Sequence, residues 1–414
     1  MKKGFKKLLC FALTGILAVG MLAGCGSDDG GSSSAPSSDN SSVSSPSEAG
    51  GSSAAGTEEP AGSGFSTEGV KIGVLVADVS GEEAQGFRSY YENYLAEQYG
   101  VTFTYTDALA SAEDEKTAIE KFVSQGYQAI ISLSSSDRAM QIETCEEYGV
   151  YYAIASGVLD SEQYETYKGY EYFAGQIGPS NETEFEAGKA MGEYYKGQGV
   201  SAVAIYGAFI PNPMHVYRAA GVLAGLGDSY GGTTEMDAIA GQIFQDQGVK
   251  LDKVSGDVEV AAYLQGYGDT TTDELNAAIQ KSPDAFLSVG MATTFFTQSL
   301  NEAGISFADI DSFTQANGIA IKDGKLTYLA GKYSSSIGPV FALIINAVNG
   351  NVIRDNGNAV SISQGYLVAT DGASFDEYYV SDNGDAPIYD KAALDSIIGA
   401  NVTFEDVKKL VESK

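Results

Sequence analysis

An alternation of strand and helix, run through once and then again, limits this chain more than any other feature. Residues 71–77 form a short apolar run that ends at Asp78, the pattern of a strand buried on both faces. The spacing then predicts a helix over 84–99, with Phe87, Tyr91, Tyr94 and Leu95 on one face. A strand over 101–105, a helix over 113–125 and a strand over 129–133 follow. Asp137 can cap the next helix, which stops at Gly149 before a strand over 150–155. A second round has strands over 172–177, 201–206, 285–289 and 326–330. Its helices fall at 182–195, 216–226, 272–280, 293–303 and 337–348, and 228–268 is less regular. Strands that alternate with helices build parallel sheets covered on both faces. Two such units in tandem predict two lobes with a cleft between them. Ligands in open α/β sheets sit beyond the carboxyl ends of the strands, and a cleft between two lobes faces both sets of ends.

The two ends of the composition say where such a chain works. Lys2, Lys3, Lys6 and Lys7 precede an apolar stretch over 8–21 that closes on Leu22-Ala23-Gly24-Cys25. Charge, apolar core and small residues in that order are a secretory signal. Cys25 directly after Leu-Ala-Gly resembles the lipobox of bacterial lipoproteins. That resemblance implies cleavage before Cys25 and a diacylglycerol on its sulfur, so that residues 1–24 are lost and the chain is held at the outer face of the cell membrane. Two acyl chains anchor stably without a transmembrane helix. Residues 25–69 are rich in Ser, Gly and Ala and cannot build a core, which predicts a flexible tether.

About 345 residues remain, more than one core usually holds, so two domains are expected. The net charge is −31, and near −35 once the four-lysine leader is gone. Such a surface repels nucleic acid and anionic lipid. Of three cysteines, Cys10 leaves with the leader and Cys25 carries lipid. Cys145 is left without a disulfide partner and reads as a buried thiol.

Little in the chain suits catalysis. His215 is the single histidine, and no G-x-S-x-G elbow accompanies it. One histidine and one remaining thiol do not make the usual zinc sets. No P-loop, dinucleotide fingerprint or EF-hand spacing occurs, so no cofactor is expected. The chain reads as a binding protein and not an enzyme. The candidates for ligand contact are polar or aromatic residues just after strands: Asp78 and Ser80, then Ser134, Ser135 and Asp137, then Ser156. In the second unit they are Asn212, His215, Arg218, Gln315, Lys332 and Tyr333. Asp and Ser at such places also cap helices.

Several segments, in order, resemble the type I periplasmic binding proteins of the ribose-binding-like group. They are Lys71-Ile-Gly-Val-Leu-Val, Gly126-Tyr-Gln-Ala-Ile-Ile-Ser, and Gly178-Pro-Ser-Asn181 followed by Ala187-Gly188. Arg218-Ala-Ala-Gly221, Gln298-Ser-Leu-Asn-Glu-Ala-Gly304 and Gly338 ahead of Asn349-Gly350 complete the set. The resemblance runs from Lys71 to about Asn351. It implies two Rossmann-like lobes with parallel sheets, joined by three crossovers near 178, 317 and 355 and closing as a hinge. The first lobe would take 70–177 and 318–355, the second 178–317 and 356–414. It further implies a monomer that passes a small polar solute to an ABC permease. A sugar or sugar derivative comes first and a nucleoside second, and the partner could also be a sensing receptor. The family's cleft arginine falls on Arg218. Its acids and amides fall on Ser156, on Val289-Gly290 and around Gln315 to Asn317, and its last-strand glutamine falls on Lys332. If Arg218 and Lys332 both face the cleft, an anionic ligand is expected.

Overall fold

The structure, a computed structural model, describes residues 65–414 apart from Ser135 and Pro211. Cys25, the leader and nearly all of the tether lie outside the described residues, as does Ser135. The chain opens with strands β1 (Lys71–Leu75), β2 (Thr102–Tyr105), β3 (Ala129–Ser132), β4 (Tyr151–Ala155) and β5 (Phe173–Gly178). Then come β6 (Ala202–Tyr206), a small ribbon of β7 (Ser229–Tyr230) and β8 (Val254–Ser255), and β9 (Glu259–Leu264). The second unit continues with β10 (Ala285–Ser288), β11 (Ser306–Ser312) and β12 (Leu326–Lys332). Three more strands follow: β13 (Arg354–Asp355), β14 (Asn358–Ser363) and β15 (Leu367–Ala369).

These make two sheets. The first runs β13-β14-β5-β4-β3-β1-β2 and the second β15-β12-β11-β10-β6-β9. All pairings within each are parallel except at β13 and β15. The expected two lobes of parallel sheet are therefore present. Their shares of the chain differ from the sequence expectation. β12 lies within 318–355, which was assigned to the first lobe. It pairs with β11 over Phe307–Ser312 and belongs to the second sheet. The chain returns to the first lobe only after it, through the apolar helix Gly338–Val348, which packs on β3, β4 and β5. β14 lies beyond 355 yet pairs with β5 in the first sheet. The first crossing thus follows Gly178, where it was expected, and the other two follow Lys332 and Ser363 rather than 317 and 355.

The tail also departs from expectation. The helix Gly372–Asp382 packs on the second lobe, where Phe375 meets Phe313 and Lys322 pairs with Asp376. The chain then returns to the first lobe. Tyr90 donates to the carbonyl of Tyr389 at 2.6 Å, Tyr99 to Asp395 at 2.9 Å, and Asn346 to the carbonyl of Ile397 at 2.7 Å. A fourth strand of backbone therefore spans the two lobes between Asp382 and Tyr389.

Two helices of the second lobe, Asn181–Gly197 and Pro213–Leu226, approach unusually closely. Gly188 and Gly192 on the first face Gly221 and Gly225 on the second, each pair four residues apart. A Cβ at Gly221 would lie 2.0 Å from the carbonyl oxygen of Phe185, and one at Gly188 would lie 2.1 Å from that of Arg218. Only a missing side chain allows backbone to meet backbone at that range. This contact brings Glu184 and Arg218, near the starts of the two helices, into reach of each other. Cys145 is buried as expected, and burial pushes its thiol well above the usual range.

Candidate functional site

The carboxyl ends of the strands in both lobes border a cleft of about 420 Å³, within the range of small-molecule sites. The first lobe supplies Asp78, Gly81, Glu82 and Glu83 from the turn and helix after β1. The second supplies Met214, His215 and Arg218 after β6, and Gly290, Met291, Thr293 and Thr294 after β10. Ile310 to Ser312 and Thr314, Ala316 and Asn317 come from the end of β11 and the helix behind it, and Lys332 from the end of β12. Three residues shortly after the ends of parallel strands carry a left-handed backbone, Ser156 at φ 66°, Ala208 at φ 50° and Met291 at φ 71°. Non-glycine residues hold that conformation only where their surroundings fix it, commonly at functional sites.

Four of the sequence candidates line the cleft: Asp78, His215, Arg218 and Lys332. Asp78 accepts from the Ser80 amide and hydroxyl at 2.9 and 3.0 Å and from the Gly81 amide at 3.0 Å. Burial works against its charge, but these bonds outweigh it and hold the carboxyl below its ordinary range. Ser80 shapes that turn and is exposed. Lys332 donates across the lobes to the Ser156 hydroxyl at 3.4 Å. It forms no ion pair among the described residues.

The remaining candidates have other work. Ser134 is buried and donates to Glu115, which also accepts from the amides of Ser136 and Asp137. Asp137 caps the helix Arg138–Tyr148 through the Met140 amide, and Asn212 caps Pro213–Leu226 through the Met214 amide. Gln315 is exposed and contributes its backbone amide alone. Tyr333 is buried behind the cleft, stacked 6.3 Å from Tyr389.

Arg218 is not a free cation. Its Nε donates to Glu184 at 2.6 Å and one terminal nitrogen donates to the carbonyls of Val289 and Ile310 at 2.8 and 3.0 Å. The other donates at 2.6 Å to the hydroxyl of Tyr366, which itself donates to Glu184 at 2.8 Å. Burial alone would depress this guanidinium, but Glu184 and Tyr366 hold it above its ordinary range. Arg218 thus fastens the ends of β10 and β11 to the third crossing. His215 is mostly buried, and burial, followed by Arg218, pushes its imidazole down to about 4, so it is neutral at pH 7. The expected anionic ligand needed two available cations. The cleft has one, Lys332, against four carboxylates: Asp78, Glu82, Glu83 and Asp311.

Sequence reasoning missed several of these groups. β11 was not foreseen because Asp309 and Asp311 break its apolar run, and Asp311, near its carboxyl end, lines the cleft. Asn317 is buried; its Nδ2 donates to Asp311 at 3.3 Å and to the Ser312 carbonyl at 2.8 Å. The Asn317 Oδ1 and Thr293 Oγ1 atoms are buried at the cleft without a hydrogen-bond partner among the described residues. Glu82 and Glu83 bridge the lobes. Glu83 accepts from the Ser312 hydroxyl. Glu82 accepts from the Gln315 amide, at the start of the helix Gln315–Lys322, and from the Tyr379 hydroxyl at 3.3 Å. Carboxylates are favoured at a helix N-terminus, so this pair latches one side of the cleft.

No protein-family model matches the sequence, and no curated protein matches it. Solved structures do match. One is the periplasmic component of an arabinose ABC transporter from Shewanella sp. ANA-3, bound to L-arabinofuranose. It is 17% identical, with a TM-score of 0.53 over 75% of this chain and 94% of that one. A periplasmic solute-binding protein from Actinobacillus succinogenes 130z with bound D-allose is 15% identical, with a TM-score of 0.57 over 75% and 100%. A solute-binding protein from Bacillus halodurans C-125 with bound myo-inositol is 16% identical, with a TM-score of 0.54 over 76% and 98%. The chain has the type I periplasmic binding protein fold. In that fold the cleft just described lies between the two lobes, beyond the strand ends.

Asp311 gives this site a pH signature. Burial, then the nearby Glu83, pushes its carboxyl up to about 6 from an ordinary 3.8. The folded state therefore holds this proton more tightly than the unfolded state, and stability falls as pH rises from about 4 to about 6. Asp311→Asn removes that loss. Its melting temperature should exceed that of the wild type at pH 7.5 and match it near pH 4. An equal difference at both pH values, or a lower melting temperature at pH 7.5, would contradict the assignment.

Proposed function

We propose that this chain is an extracytoplasmic solute-binding lipoprotein. It captures a neutral sugar or polyol between its lobes and presents it to an ABC permease. The observation that carries the reading is the cleft itself, bordered by both lobes and rich in groups that hydrogen-bond hydroxyls. Asp311 and the Asn317 carbonyl accept, Lys332 donates, and the Thr293 hydroxyl does either. Carboxylates suit hydroxyl donors and repel anions, which favours neutral sugars over sugar acids. The structural neighbours named above hold arabinofuranose, allose and myo-inositol, and that supports the same class here.

Delivery at the membrane rests on the sequence of the leader and on Cys25. No helix among the described residues is long and apolar enough to cross a membrane. A diacylglycerol on Cys25 would hold the chain at the membrane through its acyl chains. Cells fed an alkyne-tagged fatty acid should label the wild-type chain, and Cys25→Ser should abolish the label and release the protein from membranes. Labelling that survives the substitution would refute the anchor.

Ligand class is tested by calorimetry on the purified lipoprotein in detergent, with paired neutral and acidic sugars such as glucose and glucuronate or galactose and galacturonate. At least one neutral member should bind with a dissociation constant near micromolar, about 8 kcal/mol, and tighter than its acid by tenfold or more. Tighter binding of the acids would reverse the charge argument. No binding by any sugar or polyol would remove the reading.

A further inference from the structure

The cleft is lined by polar and aliphatic side chains, and its one ring among the described residues is the imidazole of His215. Three aromatic rings follow neighbouring strands of the second sheet, beside the cleft-lining residues of that lobe. β10, β6 and β9 are neighbours in the second sheet and run parallel, so their following loops emerge side by side. Phe209 follows β6, Tyr267 follows β9, and Phe295 lies in the first turn of the helix after β10. Tyr267 is 68% exposed and Phe209 38% exposed. Tyr267 stacks on Phe295, with centroids 5.0 Å apart and planes 26° apart. Phe295 directly follows Thr293 and Thr294, which line the cleft, and the Phe209 ring lies 5.9 Å from that of cleft-lining His215.

The backbone fixes these rings in place. The Gly266 amide donates to the Ala208 carbonyl at 2.6 Å, and the Tyr206 hydroxyl donates to the Gly266 carbonyl at 2.8 Å, which ties the two loops together. Ala208 holds a left-handed backbone at φ 50°, a conformation kept where a particular chain direction is needed. An exposed tyrosine stacked flat on a second ring presents an apolar face to water, and such a face at the lip of a ligand site marks contact area.

We infer that Phe209, Tyr267 and Phe295 form a second subsite, which takes a flat ring joined to the sugar held in the cleft. The ligand is thus a two-ring glycoside and not a lone monosaccharide. This rests on the sugar reading above. The shared chemistry is a ring with an apolar face, whether a second sugar or an aromatic substituent.

Matched titrations of the purified lipoprotein separate these sources. The one-ring probes are glucose, xylose, galactose and ribose. Their partners are cellobiose, xylobiose, lactose, the 4-nitrophenyl glycosides and the ribonucleosides. At least one two-ring partner should bind about tenfold or more tighter than its parent. Tyr267→Ala should erase that preference and leave the parent's affinity within twofold. Phe295→Leu, which keeps the bulk of a half-buried residue, should reduce the preference in the same direction. Equal affinity for parents and partners would overturn the second subsite and leave the sugar reading standing. So would a Tyr267→Ala protein that retains the preference or weakens both members alike. Failure of every probe to bind would overturn the sugar reading and this inference with it.

Discussion

The buried contact between Arg218 and Glu184 is the point on which the second lobe and its cleft are organised. Taking two charges out of water is costly, and the arrangement persists because each finds several partners. Arg218 reaches two strand-end carbonyls and a tyrosine as well as the carboxylate, while both Glu184 oxygens accept from Tyr366. The pair can form because the glycine faces of its two helices let backbones touch. Tyr366 lies in the link between β14 and β15, the third crossing. One hydrogen-bonded node therefore joins helix packing, strand ends and hinge.

The consequences for binding follow from where the charge goes. With Arg218 neutralised by Glu184, the cleft keeps one cation and a surplus of carboxylates. Some of those carboxylates also hold the lobes together, since Glu82 and Glu83 reach across to Gln315 and Ser312. A ligand favours the closed form only by the difference in its affinity for the two forms. The latch lowers the work that difference must do. The fourth backbone passage, where Asp382 accepts from the Ser335 amide at 3.1 Å, adds a second tie near the hinge.

Much of this was legible in the sequence, and the exceptions have physical causes. The alternation of apolar runs and helical spacing marked both sheets because parallel strands buried on two faces need continuous apolar runs. β11 was hidden because two acids interrupt its apolar run, and their partners lie outside the strand: Ser288, 21 residues before Asp309, and Asn317, in the helix that follows Asp311. β14, Asn358–Ser363, interleaves polar residues and pairs with a strand some 180 positions earlier. Arg218 was placed beside the cleft by its local motif. Its role was not, because that depends on Glu184, 34 residues away, and Tyr366, 148 away. The latch glutamates look like any surface acids until the opposite lobe is present.

The stability of Glu184→Leu, Arg218→Met and the double variant, measured by urea unfolding, tests the central role of this node most directly. Each single change leaves a buried charge unmatched and should cost about 3–5 kcal/mol. The double variant should lose clearly less than the sum of the two, because it removes both charges together. Single variants as stable as the wild type, or costs that simply add, would contradict the account.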